Sequence, residues 1–273
     1  MPQTVDPRTW HCEKQGDGPP LLLIHGLGAS SFSFRKNLPL LGKHFRVLAP
    51  DLPAHGSSPA PGDGDYRLEA LVRGLNDFLE LHGIRQAAVA GNCLGGSLAL
   101  MLARDYPERV AALILLDPAV ALTRVPWIFY PLRLPVLGGL TAALTGPWII
   151  PLAVRLAYHR RELITPEVVA GYARPFRELS RRLAFRSFCQ QLKIPPLPEI
   201  EALLQQIHQP AVLIWGQEDR ILPVRQAGWV EARLPHLARP PLILPQVGHA
   251  PQEEAADLVN EIIIDFLTHS RKN

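Results

Sequence analysis

The chain has 273 residues, 47% of them hydrophobic and 19% charged, with a net charge of +3. That length can bury a large core, and so small a net charge argues against a nucleic-acid partner. The three cysteines, Cys12, Cys93 and Cys189, are far apart and odd in number, which excludes a disulfide framework and any metal-site spacing. The first residues lack the charged-then-apolar pattern of a secretory signal, so a reducing cytosol is the expected compartment.

In chain order, Leu21-Leu22-Leu23-Ile24 is a short, wholly apolar run, the pattern of a strand buried on both faces, and it stops at His25-Gly26. Phe45–Ala49 reads as a second strand, closed by Pro50. Leu68, Leu71, Leu75, Phe78 and Leu79 mark one face of a helix running from Tyr66 to His82. Ala87–Ala90 is a third strand that runs into Gly91-Asn92-Cys93-Leu94-Gly95-Gly96, and a helix over Ser97–Tyr106 leads to a fourth, Val110–Leu116. From Ala119 to Leu204 the pattern is helical and broken by prolines, without a convincing strand. Alternation returns with a strand at Ala211–Trp215, a helix over Arg225–Arg233, a strand at Pro241–Leu244 and a last helix from Glu253 to His269. The expectation is an α/β fold: a mostly parallel central sheet with helices on both faces, built from 1–118 and 205–273 and interrupted by a helical cap at 119–204.

The charge is unevenly divided. The insert holds 11 Lys and Arg against five Asp and Glu, a balance of +6 that leaves −3 for the remainder. Arg174, Arg177 and Arg181 are expected on one helix face, opposite Phe176, Leu179 and Leu183, most simply as a solvated face over a packed one. Leu134–Val154 runs 21 residues without a charge, nominally enough to span a bilayer. Its glycines and prolines, among them Gly138, Gly146, Pro147 and Pro151, divide it into two short helices, expected as an apolar lid.

Four stretches carry chemistry. Gly91-Asn92-Cys93-Leu94-Gly95 flanks a nucleophilic residue with small ones at the junction of a strand and a helix, which projects that side chain and aims a helix N-terminus at the reaction centre. His25-Gly26-Leu27-Gly28 ends a neighbouring strand, so the amides of Leu27 and Leu94 are candidates for an oxyanion hole. Trp215-Gly216-Gln217-Glu218-Asp219 offers an acid after a strand, with Asp117 a competing acid in a similar position. Val247-Gly248-His249-Ala250-Pro251 offers a base, and the order of nucleophile, acid and histidine is that of a hydrolase triad.

Together with Asp51-Leu52-Pro53-Ala54-His55-Gly56-Ser57-Ser58, these stretches resemble the α/β-hydrolase fold family, in its capped lipase- and esterase-like branch, over nearly the whole chain outside the insert. The resemblance implies Cys93 as nucleophile, His249 as base and Asp219 as the acid that orients it, with His55 structural. The departure is cysteine where the family commonly has serine. A thiol has an ordinary pKa of about 8.5 and is readily ionised beside an imidazole. The implied activity is hydrolysis of an ester, thioester or lactone through a thioester to Cys93. An acyltransferase using the same intermediate and a non-catalytic or engineered Ser→Cys family member are the alternatives. No cofactor and no metal are expected. The expected partner is a small acyl substrate with a hydrophobic part, against a pocket lined by His25, Asn92, Trp127, Phe129 and Trp148. The basic cap would suit an anionic carrier or membrane surface at the entrance.

Overall fold

The computed structural model describes residues 6–121, 129–135 and 137–269. Its strands are β1 (Cys12–Gln15), β2 (Pro20–Ile24), β3 (Arg46–Pro50), β4 (Ala87–Asn92), β5 (Val110–Leu116), β6 (Ala211–Gly216) and β7 (Leu242–Leu244). They form one sheet in the order β1-β3-β2-β4-β5-β6-β7. All neighbours are parallel except β1, which pairs antiparallel with β3, Cys12 opposite Pro50. This edge strand has no apolar pattern in the sequence, because its Glu13, Lys14 and Gln15 are exposed and only its ladder holds it.

The longer helices are α1 (Leu68–Leu81), α2 (Leu94–Asp105), α3 (Leu137–Leu144), α4 (Ile150–Ala157), α5 (Pro166–Ala173), α6 (Leu179–Gln191), α7 (Leu197–Gln205), α8 (Arg225–Glu231) and α9 (Ala256–His269). The apolar strands are explained by burial on both faces. Leu22, Ile24, Val89, Leu113 and Leu115 pack with α1 and α2 on one side, while Leu21, Leu23, Ala90, Ile114 and Leu116 pack with α9 on the other. The last helix does not run unbroken from Glu253: a turn at Pro251–Glu254 precedes Ala255, whose φ of −129° and ψ of 44° separate it from α9.

Between β5 and β6 the described residues form helices only. The expected arginine face is corrected here. Arg174 caps the end of α5, Arg177 lies in a 3₁₀ turn, and Arg181 belongs to α6, so no single helix presents all three. Pro175, which lacks an N–H, and the extended backbone of Glu178 divide the segment. The apolar stretch is two helices, α3 and the Pro147–Ala157 segment, bent by 80°. No single helix among the described residues is long and apolar enough to cross a membrane.

Candidate active site

The order of strands decides where a site can form. From β2 the chain moves outward to β3, then crosses back to place β4 on the other side of β2, so the connections leaving β2 and β4 diverge and open a crevice at their carboxyl ends. The loop 25–29 and Cys93 follow those two strands. Asp117, Asp219 and His249 follow β5, β6 and β7 at the same edge.

Cys93 joins β4 to α2 with φ 54° and ψ −116°, a left-handed conformation costly for a side-chain-bearing residue. Its N–H donates to the Leu116 carbonyl at 3.0 Å and its carbonyl accepts from Gly96 and Ala119, so the turn is held from both directions. The small neighbours are dictated by contact. A Cβ on Gly95 would lie 2.0 Å from the Ile24 carbonyl oxygen, and one on Gly91 would lie 2.2 Å from that of Gly95. The loop after β2 presses equally close, since a Cβ on Gly26 would lie 3.0 Å from that of Cys93. Leu94 is the first residue of α2, where an N–H has no intrahelical acceptor.

His249 Nδ1 pairs with Asp219 Oδ2 at 2.7 Å, and both residues are buried. Asp219 Oδ1 accepts from the N–H groups of Ile221 and Leu222 at 2.7 and 2.8 Å, which fixes its carboxylate. Burial pulls the imidazole pKa down, but Asp219 and Cys93, through charge and hydrogen bonds, hold it well above its usual range. A cavity of about 280 Å³ opens over this group. Cys93, His249 and the loop 26–29 bound one side, Ser97 and Met101 of α2 continue it, and Val154 and Ala157 of α4 close it.

Asn92 and Phe129 are among the lining residues. Trp148 is not: its ring is 66% exposed, with Nε1 donating to the Leu144 carbonyl. His25 is fully buried and spends both ring nitrogens on the fold, Nδ1 on the Gly26 carbonyl at 2.8 Å and Nε2 on the Leu52 N–H at 2.9 Å. Trp127 lies outside the described residues. Among the described residues no group of three or more His, Cys, Asp or Glu side chains could hold a metal ion.

A family model described as the alpha/beta hydrolase fold matches residues 19–148. The uncharacterized hydrolase YugF of Bacillus subtilis is 31% identical over 248 residues, covering 90% of this chain and 89% of its own. The magnesium-chelatase 30 kDa subunit of Rhodobacter capsulatus is 32% identical over 285 residues, covering 96% and 92%. In the crystal structure of a putative lipase from Acinetobacter baumannii, 27% identical, the fold superposes with a TM-score of 0.83 over 97% of this chain and 89% of that one. The chain belongs to the alpha/beta-hydrolase fold family. It is an enzyme of the hydrolase class.

Around the cysteine, this hydrolase uses several polar side chains whose roles the sequence alone leaves open. Asp51 Oδ1 and Oδ2 accept from Ser31 and Ser57 N–H groups, both at 2.7 Å, and Gly56, at φ 50°, leaves no room for a Cβ beside that carboxylate. His55 is buried against Phe185 and Phe188 of α6, where burial and then His25 push its pKa down to about 3. Asn92 Nδ2 donates to the carbonyls of Leu116 and His249, both at 3.2 Å, so its amide spans from the elbow to the histidine loop. Glu254 was not anticipated. Its Oε1 accepts from Gly248 at 2.8 Å and its Oε2 from His159 and Arg160 at 2.8 and 2.7 Å, tying the end of α4 to the histidine loop. Glu253 beside it accepts from Tyr172 and Arg35. The signal was available as two acids four and five residues after His249.

Asp117 is adjacent and different. It has φ 41° and is completely buried, its Oδ1 accepting from Gly216 at 2.8 Å while its Oδ2 has no hydrogen-bond partner among the described residues. Burial first, and then Asp219, hold its carboxyl well above the usual range, and no hydrogen bond reaches it from His249.

Proposed function

We propose that this hydrolase is a Cys-His-Asp acyl hydrolase acting on esters, thioesters or lactones with a hydrophobic acyl or aromatic part. The observation that carries the reading is a left-handed Cys93 beside a His249 bound to Asp219 at 2.7 Å, with Cys93 and His249 lining a largely apolar cavity. Cys93 Sγ, paired with the His249 imidazolium, attacks the substrate carbonyl carbon. The resulting oxyanion is received by the N–H groups of Leu94 and Leu27. Collapse expels the leaving group, which takes a proton from His249, and leaves a thioester on Cys93. Water then gives its proton to His249 and attacks the thioester, releasing the acid and restoring the pair. Residues 119–204 act as the cap that shields this thioester, because α4 and Phe129 close the cavity.

The test is a panel of p-nitrophenyl esters and acyl thioesters, run with Cys93→Ala alongside. Turnover abolished by that substitution, with an acyl mass on the Cys93 peptide of the parent enzyme, is the expected result. Undiminished turnover of Cys93→Ala overturns the reading. Products that appear only when an alcohol or amine is added would convert the last step from hydrolysis to transfer.

A further inference from the structure

Ten of the thirteen large apolar side chains exposed among the described residues belong to the insert. Five of them cluster in sequence: Leu137, Leu140 and Leu144 recur at spacings of three and four on α3, and Trp148, in the turn at the 80° bend, and Leu152 of α4 follow. Each is at least half exposed, and Trp148 is 66% exposed. The stripe is no loose flap. Arg182 Nε of α6 donates to the Ala142 carbonyl at 2.9 Å and Arg186 Nη2 to that of Pro135 at 2.7 Å, clamping α3 from beneath. On α4 the inward face is apolar too, since Ile150 and Val154 are buried and Ala153 and Ala157 line the cavity. α4 thus covers the cavity with its inner face, while its Leu152, with Trp148 and the α3 leucines, leaves an outer apolar patch in need of an occupant.

Charge identifies that occupant. From Pro118 to Arg161 the sequence contains five arginines and no Asp or Glu; of these, Arg133 is bonded to the Cys189 and Leu192 carbonyls and Arg160 to Glu162, whereas Arg155 is exposed beside Leu152. Arg155 follows Leu152 by three residues and Trp148 by seven, so an exposed cation continues the apolar stripe. We infer that this stripe seats the protein on an anionic lipid bilayer, with the leucines and Trp148 in the headgroup–acyl boundary and Arg155 against the headgroups. Pairing of the stripe with a second copy would bring two Arg155 cations together across an apolar seam. The seating surface is not the Arg174, Arg177 and Arg181 group that the sequence put forward, for Arg181 is spent on Glu178 and the Gly56 and Ser58 carbonyls.

The experiment is flotation of the full chain with vesicles of phosphatidylcholine alone and of phosphatidylcholine mixed with phosphatidylglycerol. The wild type should float with the anionic vesicles and be released by salt. Combining Leu140→Ser, Leu144→Ser and Trp148→Ser should remove the binding. Arg155→Glu should weaken it by about fivefold or more, from the worth of one cation near an anionic surface. All variants should keep turnover of a soluble ester, since none of these side chains lines the cavity. A blue shift of fluorescence on adding anionic vesicles, absent in Trp148→Phe, should accompany binding. Three results overturn the inference: no flotation of the wild type, undiminished flotation of the triple variant, or a wild-type dimer that the triple variant converts to monomer.

Discussion

At Cys93 the backbone and the side chain make opposing demands. A φ of 54° would suit glycine, while the proposed chemistry needs a thiol. Cys93→Gly should therefore be more stable than Cys93→Ala by about 1–3 kcal/mol although both are inactive, which paired thermal unfolding would measure. Cys93 should also be the thiol that iodoacetamide labels fastest, because burial pushes Cys12 up to about 11 and Cys189 up to about 12. Faster labelling of either would remove the basis for the assignment. The two acids can be separated in the same way. Asp219→Asn should cost orders of magnitude in turnover (about 10⁴ in a serine-protease triad) and move the alkaline limb of the rate profile to lower pH, since a carboxylate supporting the imidazolium is lost. Asp117→Asn should leave most of the turnover. It should instead stabilise the fold, as a carboxyl held above its unfolded pKa favours folding only below that pKa and weakens it as pH rises toward the folded value. The gain should be on the order of a few degrees in Tm at pH 8 and absent near pH 3. Equal gains at both pH values would refute the assignment of a buried, protonated Asp117.

Among the elements, legibility followed burial. Val110–Leu116 and the hydrophobic face of α1 could be read directly, because strands buried on both faces and a helix buried on one leave simple periodicities. β1 escaped, since an exposed edge strand is defined by its ladder rather than its side chains. α2 starts at Leu94, three residues before the helix expected from Ser97, because the small residues of the elbow are themselves its first turn. Gly95 and Gly96 are helical, and their missing side chains let the helix pass the Ile24 carbonyl and Pro118, respectively. Gly95→Ala should accordingly abolish turnover and lower Tm, whereas Gly139→Ala, with nothing within 4 Å of its added Cβ, should do neither. Glu254 ties two elements distant in sequence, and no periodicity announces such a bond. Glu254→Gln keeps one acceptor oxygen and turns the other into a donor, so it loses either Gly248 or the His159–Arg160 pair. It should reduce kcat more than global stability, by freeing the Gly248–His249 segment from α4. A fall in Tm of ten degrees or more with normal kcat in the surviving fold would make the residue structural only.

Across the whole molecule, the sheet brings Cys93 and His249 to one edge, and residues of the segment between β5 and β6 line the cavity over them. The cavity follows one face of α2, with Cys93, Ser97, Met101 and Arg104 all contributing to its wall. Those residues span 11 helical positions, about 16 Å at 1.5 Å per residue. An extended acyl chain advances about 1.3 Å per bond, so roughly a dozen carbons would run from the thioester to Arg104. The wall is mostly apolar, and at the far end Arg104 and the nearby Glu69 bring charge. Each methylene taken from water is worth about 0.8 kcal/mol, or close to fourfold in transition-state binding if it is fully buried. kcat/KM for straight-chain p-nitrophenyl esters should therefore climb with acyl length and stop climbing at roughly twelve carbons, where further methylenes meet the charged mouth. Replacing Met101 by Trp should move that limit to shorter chains while leaving acetate and butyrate esters nearly untouched, because the block lies two helical turns from Cys93. A profile that is flat, or that falls from the shortest ester onward, would place the acyl group elsewhere and assign this channel to the leaving group.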